Sequence, residues 1–162
     1  MTKTMKTRQQ IQDEIIRLLL GTGREGIRET VDYLRGSDFF KARCHTHHHY
    51  EGGLAHHSLE TCRWALRHAA GIPADSVILG TLLHDVCTSW SPRARHIKGH
   101  GRRSVTILER LCNLSLTPEE KDSILLHMHG NAPQMRTNAL ARLVWKADKV
   151  SAAGFAPLAL YR

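Results

Sequence analysis

The apolar residues of this chain recur at three- and four-residue intervals almost throughout, which is the spacing of an amphipathic α-helix. Isoleucine and leucine repeat in this way within residues 11–20, and valine joins them within 27–34. Gly21 and Gly23 separate the two segments, and Gly36 ends the second. Strand-type alternation is nowhere long enough to predict a strand. The pattern therefore predicts an all-α chain.

Five more helices follow an irregular stretch, residues 37–53, which we expect to be an ordered loop packed on the body. Gly71 and Pro73 stop the third helix, and Thr117 with Glu120 forms a capping box that starts the sixth. The fourth is apolar on most sides and should be central. The helices are predicted over about 54–70, 74–84, 100–111, 117–130 and 138–151, with a loop over 88–99.

A length of 162 residues fits one domain, so a single-domain helical bundle is expected. Its core should span about 31–154, with residues 1–30 as a helical extension packed on it. No apolar run is long enough to cross a bilayer, and the N-terminal segment lacks the apolar core of a signal peptide. We therefore expect a cytoplasmic protein without a membrane partner.

Charge and cysteine content narrow the picture further. The formal net charge of +8 and the isoelectric point of about 9.7 favour anionic partners such as nucleotides, nucleic acid or phosphorylated metabolites. The four cysteines include no C-x-x-C pair, and we expect buried apolar side chains rather than disulfides or a zinc knuckle. They are Cys44, Cys62, Cys87 and Cys112.

The chain has 12 histidines, and neutral imidazole is the commonest metal ligand in proteins. A short turn makes the third and fourth helices antiparallel, so His57 at the start of one should lie beside His84 at the end of the other. Asp85 and Asp148 occupy helix faces that are otherwise apolar. Buried carboxylates need a counter-charge, which a cation can supply.

These four side chains are thus a candidate site for one divalent ion. Two imidazoles and two carboxylates suit Fe, Mn, Zn, Co or Ni. Each residue taken singly has a structural alternative as a hydrogen-bonded core group, and Asp148 could pair with Lys146 or Lys149. The joint placement of the four favours the metal site.

The motifs around these residues resemble the H…HD…D signature of the HD phosphohydrolase superfamily, in His57, the LLHD of residues 82–85 and Asp148 of KAD. Residues 50–58 (YEGGLAHHS) are similar to the GGLxxHS/T motif of one bacterial branch. In that motif the histidine before serine is the ligand, which favours His57 over His56. The similarity covers about 31–154 and implies a helical bundle of the HD-domain type.

Two further histidines match the branch that carries a second metal. The GHGRRSV of residues 99–105 resembles its GHGxxS motif, and LHM at 126–128 resembles its HM or HH motif. The resemblance implies one or two ions, with Asp85 bridging and His100 and His127 on the second. His100 could instead cap its helix or contact phosphate. His129 is the alternative to His127, although it would lie on nearly the opposite helix face.

This chain departs from the family where a lysine often follows the His-Asp pair, because residues 86–88 are VCT. A phosphate-binding role must be absent here or supplied by other basic side chains, whose alternative is a solvated surface. The candidates are Arg93, Arg95, Lys98, Arg102 and Arg103. In the histidine-rich stretch 45–49 and beyond it, His48 and Tyr50 are candidate substrate contacts. Tryptophans are expected in the core or in cleft walls.

The resemblance implies a metal-dependent phosphohydrolase that acts on a nucleotide or a related small phosphate ester through a metal-activated hydroxide, with His84 and Asp85 as the catalytic pair. Two alternatives stay open: an HD-type di-iron oxygenase, and a non-catalytic nucleotide-binding regulatory module. An RNA substrate is a weaker expectation, since the chain has no OB-like domain to guide a polymer. The sequence leaves the oligomeric state open.

Overall fold

A computed structural model describes residues 6–87 and 98–154. Within these ranges the chain forms seven α-helices and no β-strand, which confirms the all-α prediction. A π-helical segment (Ile107–Leu111) extends the fifth helix, and a 3₁₀ turn (Pro133–Arg136) precedes the seventh. The helices are α1 (Arg8–Gly21), α2 (Ile27–Gly36), α3 (Gly53–Arg67), α4 (Ala74–Leu82), α5 (His100–Thr106), α6 (Pro118–Leu125) and α7 (Ala139–Ala152).

Two helices begin at capping boxes, where side chains satisfy backbone N–H groups that have no partner within the helix. At α6 the Thr117 hydroxyl accepts from the Glu120 N–H, and the Glu120 carboxylate accepts from the Thr117 N–H, as predicted. Thr7 and Gln10 form the same pair at α1. These caps fix where both helices start.

The helix α3 is the centre of the fold, because it packs against α1, α4 and α7. Residues 53–62 of α3 and 77–82 of α4 are buried throughout, which confirms the central position predicted for α4. Ile15 and Leu19 of α1 lie in the same apolar core as Leu59 of α3. The division into a core and an N-terminal extension stays a prediction.

Several helices end earlier than the sequence predicted, and two of these ends bear on the site. The helix α4 ends at Leu82 and α6 at Leu125, so His84 and His127 lie in the turns that follow. In each case the imidazole Nδ1 lies 2.7 Å from a carbonyl oxygen three residues earlier, at Thr81 or Ile124. A histidine that bonds to a last-turn carbonyl satisfies a group that the helix leaves open. The argument from helical angles for His127 over His129 was therefore wrong, because neither residue lies on α6.

The stretch 37–53 is an ordered loop packed on the body, as predicted. The N–H groups of Gly52 and Leu54 donate to the carbonyls of Lys41 and Ala42, both at 3.0 Å. A Cβ on Gly53 would lie 1.8 Å from the His48 carbonyl oxygen. Only glycine therefore allows the loop to approach α3 so closely.

The four cysteines are free and buried, which confirms the expectation of small apolar side chains. In the part of the chain that the structure describes, no helix is long and apolar enough to span a membrane. The predicted loop over 88–99 lies outside the described residues except for Lys98 and Gly99. Trp90, Arg93 and Arg95 lie outside them too.

Candidate metal centre

The structure brings together the four residues of the predicted metal site. His57 lies in the first turns of α3, His84 and Asp85 follow α4, and Asp148 lies on α7. His57 Nε2 is 3.0 Å from Asp148 Oδ1, and His84 Nε2 is 3.5 Å from the same oxygen. His84 Nε2 is also 3.2 Å from Asp85 Oδ2. Both imidazoles are fully buried.

His100 and His127 complete a second group on the other oxygen of Asp85. Their Nε2 atoms lie 3.3 and 3.2 Å from Asp85 Oδ1 and 2.8 Å from each other. A Cβ on Gly101 would lie 2.7 Å from the Ile124 carbonyl oxygen, so the start of α5 packs directly on the last turn of α6. Asp85 thus faces His84 with one oxygen and the second histidine pair with the other.

Hydrogen bonds at Nδ1 determine which ring nitrogen faces the carboxylates. A carbonyl oxygen only accepts, so Nδ1 of His84 and of His127 carries a proton and Nε2 of the neutral ring keeps its lone pair. His57 Nδ1 lies 3.0 Å from the Ser151 hydroxyl. Metal-binding imidazoles characteristically have their second nitrogen held in this way.

The electrostatics of the cluster call for a positive charge. Burial raises the pKa of Asp85, but His84 and His127 outweigh that effect and hold it well below its ordinary value. His57 and His84 do the same for the pKa of Asp148. Burial lowers the pKa of His57, whereas at His84 the charge of Asp85 outweighs burial and raises the pKa well above its ordinary value. The two carboxylates thus favour a positive charge beside His84 Nε2, which either a proton or a bound cation can supply.

The donor set fits a divalent transition metal. Atoms that each lie about 2.1 Å from one ion are separated by about 3.0 to 3.4 Å, depending on the coordination angle. In the group of His57, His84, Asp85 and Asp148, the His57–Asp148, His84–Asp85 and His84–Asp148 separations are 3.0, 3.2 and 3.5 Å, within this range or just above it. Imidazole and carboxylate together are ligands that Fe, Mn, Zn, Co and Ni accept.

The residues predicted to contact substrate differ in how exposed they are. Arg102 and Arg103 are exposed on α5, next to His100, and Lys98 is exposed before it. Tyr50 is 44% exposed. His48, in contrast, has only 8% of its side chain exposed. Arg93 and Arg95 lie outside the described residues.

Three other residues predicted from the sequence can be placed. Trp64 and Trp145 are half-buried, in keeping with a core or cleft-wall position. His129 is exposed, and among the described residues it belongs to none of the clusters that could hold a metal.

Sequence reasoning missed Glu60, a fully buried carboxylate of α3. Its Oε2 lies 2.6 Å from His48 Nε2 and accepts a 3.2 Å hydrogen bond from the Ser151 hydroxyl, and its Oε1 lies 3.0 Å from His56 Nε2. The sequence did contain a signal for this pair, because His56 and Glu60 are four residues apart and thus share a helix face.

The neighbouring His47 is neutral near pH 7. Burial, together with the adjacent His57 and His48 imidazoles, lowers its pKa to about 4.

Lys149 is the basic side chain nearest the four-residue group in the described part of the chain. Its Nζ donates to Asp148 Oδ2 at 2.8 Å, and its side chain is 41% exposed. The sequence prediction treated this lysine only as a structural partner of Asp148. Its position, between a buried carboxylate and solvent, also suits an anionic ligand.

Comparison with known proteins addresses the family directly. The family model described as HD domain matches residues 54–153, more than half of the chain, and this range contains all six residues of the two histidine–aspartate groups. Neither the curated proteins nor the solved structures gave a match. HD domains bind divalent metals and are generally metal-dependent phosphohydrolases. The chain belongs to the HD domain family.

Proposed function

We propose that this protein is a metal-dependent phosphohydrolase acting on a nucleotide or a related small phosphate ester. The observation that carries the proposal is the position of Asp85, whose two oxygens face His84 on one side and His100 with His127 on the other. This arrangement suits two neighbouring divalent ions. Membership of the HD family supports a metal-dependent, hydrolase-type function.

Each residue has a role in this proposal. His57, His84, Asp85 and Asp148 hold one ion (Fe, Mn, Zn, Co or Ni), and Asp85 shares a second with His100 and His127. A divalent cation held there supplies Lewis-acid activation of water and of a phosphoryl oxygen. The buried walls of α3, α4 and α7 keep the ligand geometry fixed while substrate binds from the side of Asp85, which retains some exposure.

Phosphate recognition falls to basic side chains at the edge of the centre. Phosphoryl transfer requires that the negative charge on the phosphoryl oxygens be neutralised. Lys149 contacts Asp148 and keeps much of its side chain in solvent, so its ammonium group can turn to a bound phosphate. Three further candidates for phosphate binding are exposed near His100, namely Lys98, Arg102 and Arg103. We also keep Arg93 and Arg95 as candidates, on the basis of the sequence alone. We propose Lys149 as the substitute for the lysine missing after the His-Asp pair.

Phosphate release from nucleotides and from p-nitrophenyl phosphate, in the presence of Mn²⁺ or Fe²⁺, tests the proposal. We expect turnover by the wild type, and a loss of more than about 100-fold in Asp148→Asn and His84→Asn. His129→Asn is the matched control and should retain activity, because His129 is exposed and outside the clusters. Tight nucleotide binding without turnover would contradict hydrolysis and point to a regulatory module.

The same six side chains also suit a di-iron oxygenase, and the bridging position of Asp85 favours this second candidate as much as the first. The two differ in what they consume. Iron-loaded protein can be assayed in an oxygen electrode with organic substrates that include phosphate esters. Oxygen uptake that depends on substrate, without phosphate release, would replace the phosphohydrolase proposal with the oxygenase.

A further inference from the structure

A second cluster of imidazoles and a carboxylate lies on the far side of His57 from Asp148. Its centre is Glu60, which has an imidazole nitrogen close to each of its carboxylate oxygens. Oε2 is 2.6 Å from His48 Nε2, and Oε1 is 3.0 Å from His56 Nε2. Glu60 is fully buried, and the two imidazoles are nearly so. The three donor groups lie close enough to bind a single ion.

Both imidazoles turn Nε2 toward the carboxylate, as His84 and His127 do in the HD centre, the name used from here for the six side chains of His57, His84, Asp85, His100, His127 and Asp148. His56 Nδ1 is hydrogen-bonded to the Tyr50 hydroxyl, and His48 Nδ1 lies 3.0 Å from His47 Nδ1. The second nitrogen of each ring is thus held by a neighbour while Nε2 points inward. That is the arrangement found around metal-binding histidines in general.

The backbone at His48 is held in an unusual conformation that directs its side chain to Glu60. His48 has a φ of 44°, in the left-handed region that a non-glycine residue rarely adopts. Its carbonyl accepts from the N–H groups of Cys44 and Tyr50 and lies against Gly53. Such strained residues cluster at functional sites, where the surrounding structure maintains them.

We propose that His48, His56 and Glu60 form a further metal site, distinct from the HD centre, for a transition-metal dication such as Zn²⁺. Two imidazoles and one carboxylate are a common ligand set for this ion. His56 and Glu60 are one turn apart on α3, and the histidine-rich loop provides the third ligand. The proposal does not depend on hydrolysis, and it gives His48 a metal ligand's role in place of a substrate contact.

Glu60 also touches the HD centre, and this affects the choice of variants. The Ser151 hydroxyl donates to Glu60 and accepts from His57 Nδ1, so a change at Glu60 would disturb both sites. Substitution of His48 and His56 tests the proposed site without removing the Glu60 carboxylate that Ser151 contacts. We therefore combine His48→Asn with His56→Asn, and break the HD centre separately with Asp85→Asn and Asp148→Asn.

The test is elemental analysis of the full chain after equilibration with Zn²⁺ and removal of free ion. We expect the His48→Asn/His56→Asn protein to retain one ion per chain fewer than the wild type. The Asp85→Asn/Asp148→Asn protein should keep one ion, and the combination of all four changes should remove it. His129→Asn is the control and should match the wild type.

Two results would overturn the proposal. One is an unchanged ion count in the His48→Asn/His56→Asn protein, and the other is no ion in the protein whose HD centre is broken. Circular dichroism in the presence of a chelator checks that each variant folds. If the double variant does not fold, the Co²⁺ spectrum of the Asp85→Asn/Asp148→Asn protein serves instead, and it should be lost with His56→Gln alone. Absence of phosphohydrolase activity would leave these ion counts unaffected.

Discussion

At the scale of single residues, the tautomers of the histidines prepare the HD centre for a metal. His84 and His127 each follow the end of a helix and donate from Nδ1 to a carbonyl three residues earlier, and this bond leaves Nε2 to face inward. At His57 the same task falls to Ser151, whose hydroxyl donates to Glu60 and so accepts from Nδ1. The Glu60 carboxylate therefore helps to orient the His57 ring indirectly, because it fixes the direction of the Ser151 hydroxyl.

The role of Ser151 can be measured. Ser151→Ala removes the acceptor for His57 Nδ1–H, and we expect the affinity of the HD centre for Mn²⁺ or Zn²⁺ to fall about 10-fold. Competition with a metal-binding dye gives the affinity, and Ser115→Ala, at an exposed position, is the matched control. Equal affinities in the two variants would show that Ser151 does not orient His57.

A second prediction at this scale concerns Glu120, a buried carboxylate outside both metal clusters. Arg24 donates to it at 2.6 and 2.8 Å and Ser76 at 2.7 Å. Burial raises the pKa of Glu120, but the bonds from Arg24 and Ser76 outweigh it and lower the pKa below the ordinary value of 4.5. The folded protein therefore favours the ionised form, and this stabilisation, complete above pH 4.5, is lost as the pH falls below it.

We expect Glu120→Gln to lower the free energy of unfolding by about 1 to 2 kcal/mol at neutral pH, because it replaces a charged hydrogen-bond acceptor. The difference from the wild type should shrink as the pH falls through the range in which Glu120 takes up a proton. Urea denaturation over a series of pH values measures both effects, with Glu119→Gln, at an exposed residue, as the control. A difference that stays constant with pH would contradict this account.

At the scale of helices, several metal-site residues lie at or just beyond helix ends: His84 and Asp85 follow α4, His127 follows α6 and His100 begins α5. The apolar spacing predicted all seven, because a buried helix face leaves a period of about 3.6 residues in the sequence. It could not predict that α4 ends at Leu82 and α6 at Leu125. At both ends a histidine, His84 or His127, bonds to a carbonyl of the last turn, and such bonds leave no trace in the apolar pattern.

The contact between α5 and α6 sets the distance between His100 and His127, and Gly101 makes that contact possible. Gly101→Ala would place a methyl group 2.7 Å from a backbone oxygen of α6, so α5 must shift. We expect the variant to keep the ion of His57, His84 and Asp148 but to bind the second ion more weakly. Metal titration monitored by calorimetry tests this.

Gly36→Ala is the matched control for that experiment, because a Cβ at Gly36 meets no atom and its backbone is ordinary for any residue. Its metal binding should equal that of the wild type. Identical titrations for Gly101→Ala and Gly36→Ala would mean that the packing of α5 on α6 does not position a second ion.

At the scale of the whole molecule, helices far apart in sequence converge on two carboxylates, the buried Asp148 and the partly exposed Asp85. The inward position of Asp148 followed from the sequence, because it interrupts the apolar face of α7. The same argument was wrong for Asp85, which lies in the turn after α4 and not on a helix face. The cluster around Glu60 did not, because the loop that brings His48 to α3 folds back through backbone contacts that no periodicity encodes. The residues that share a helix face can be predicted from the sequence, whereas the path of an irregular loop cannot.

The central claim is that a cation, rather than hydrogen bonding among the side chains, accounts for this convergence. Elemental analysis of the purified wild type beside His84→Ala and Asp85→Ala tests it most directly. The account predicts a transition metal in the wild type, at least one ion per chain fewer in each variant, and a lower melting temperature for both, since an ion that binds only the folded chain stabilises it. A wild type without a transition metal, or variants that hold as much as the wild type, would contradict it.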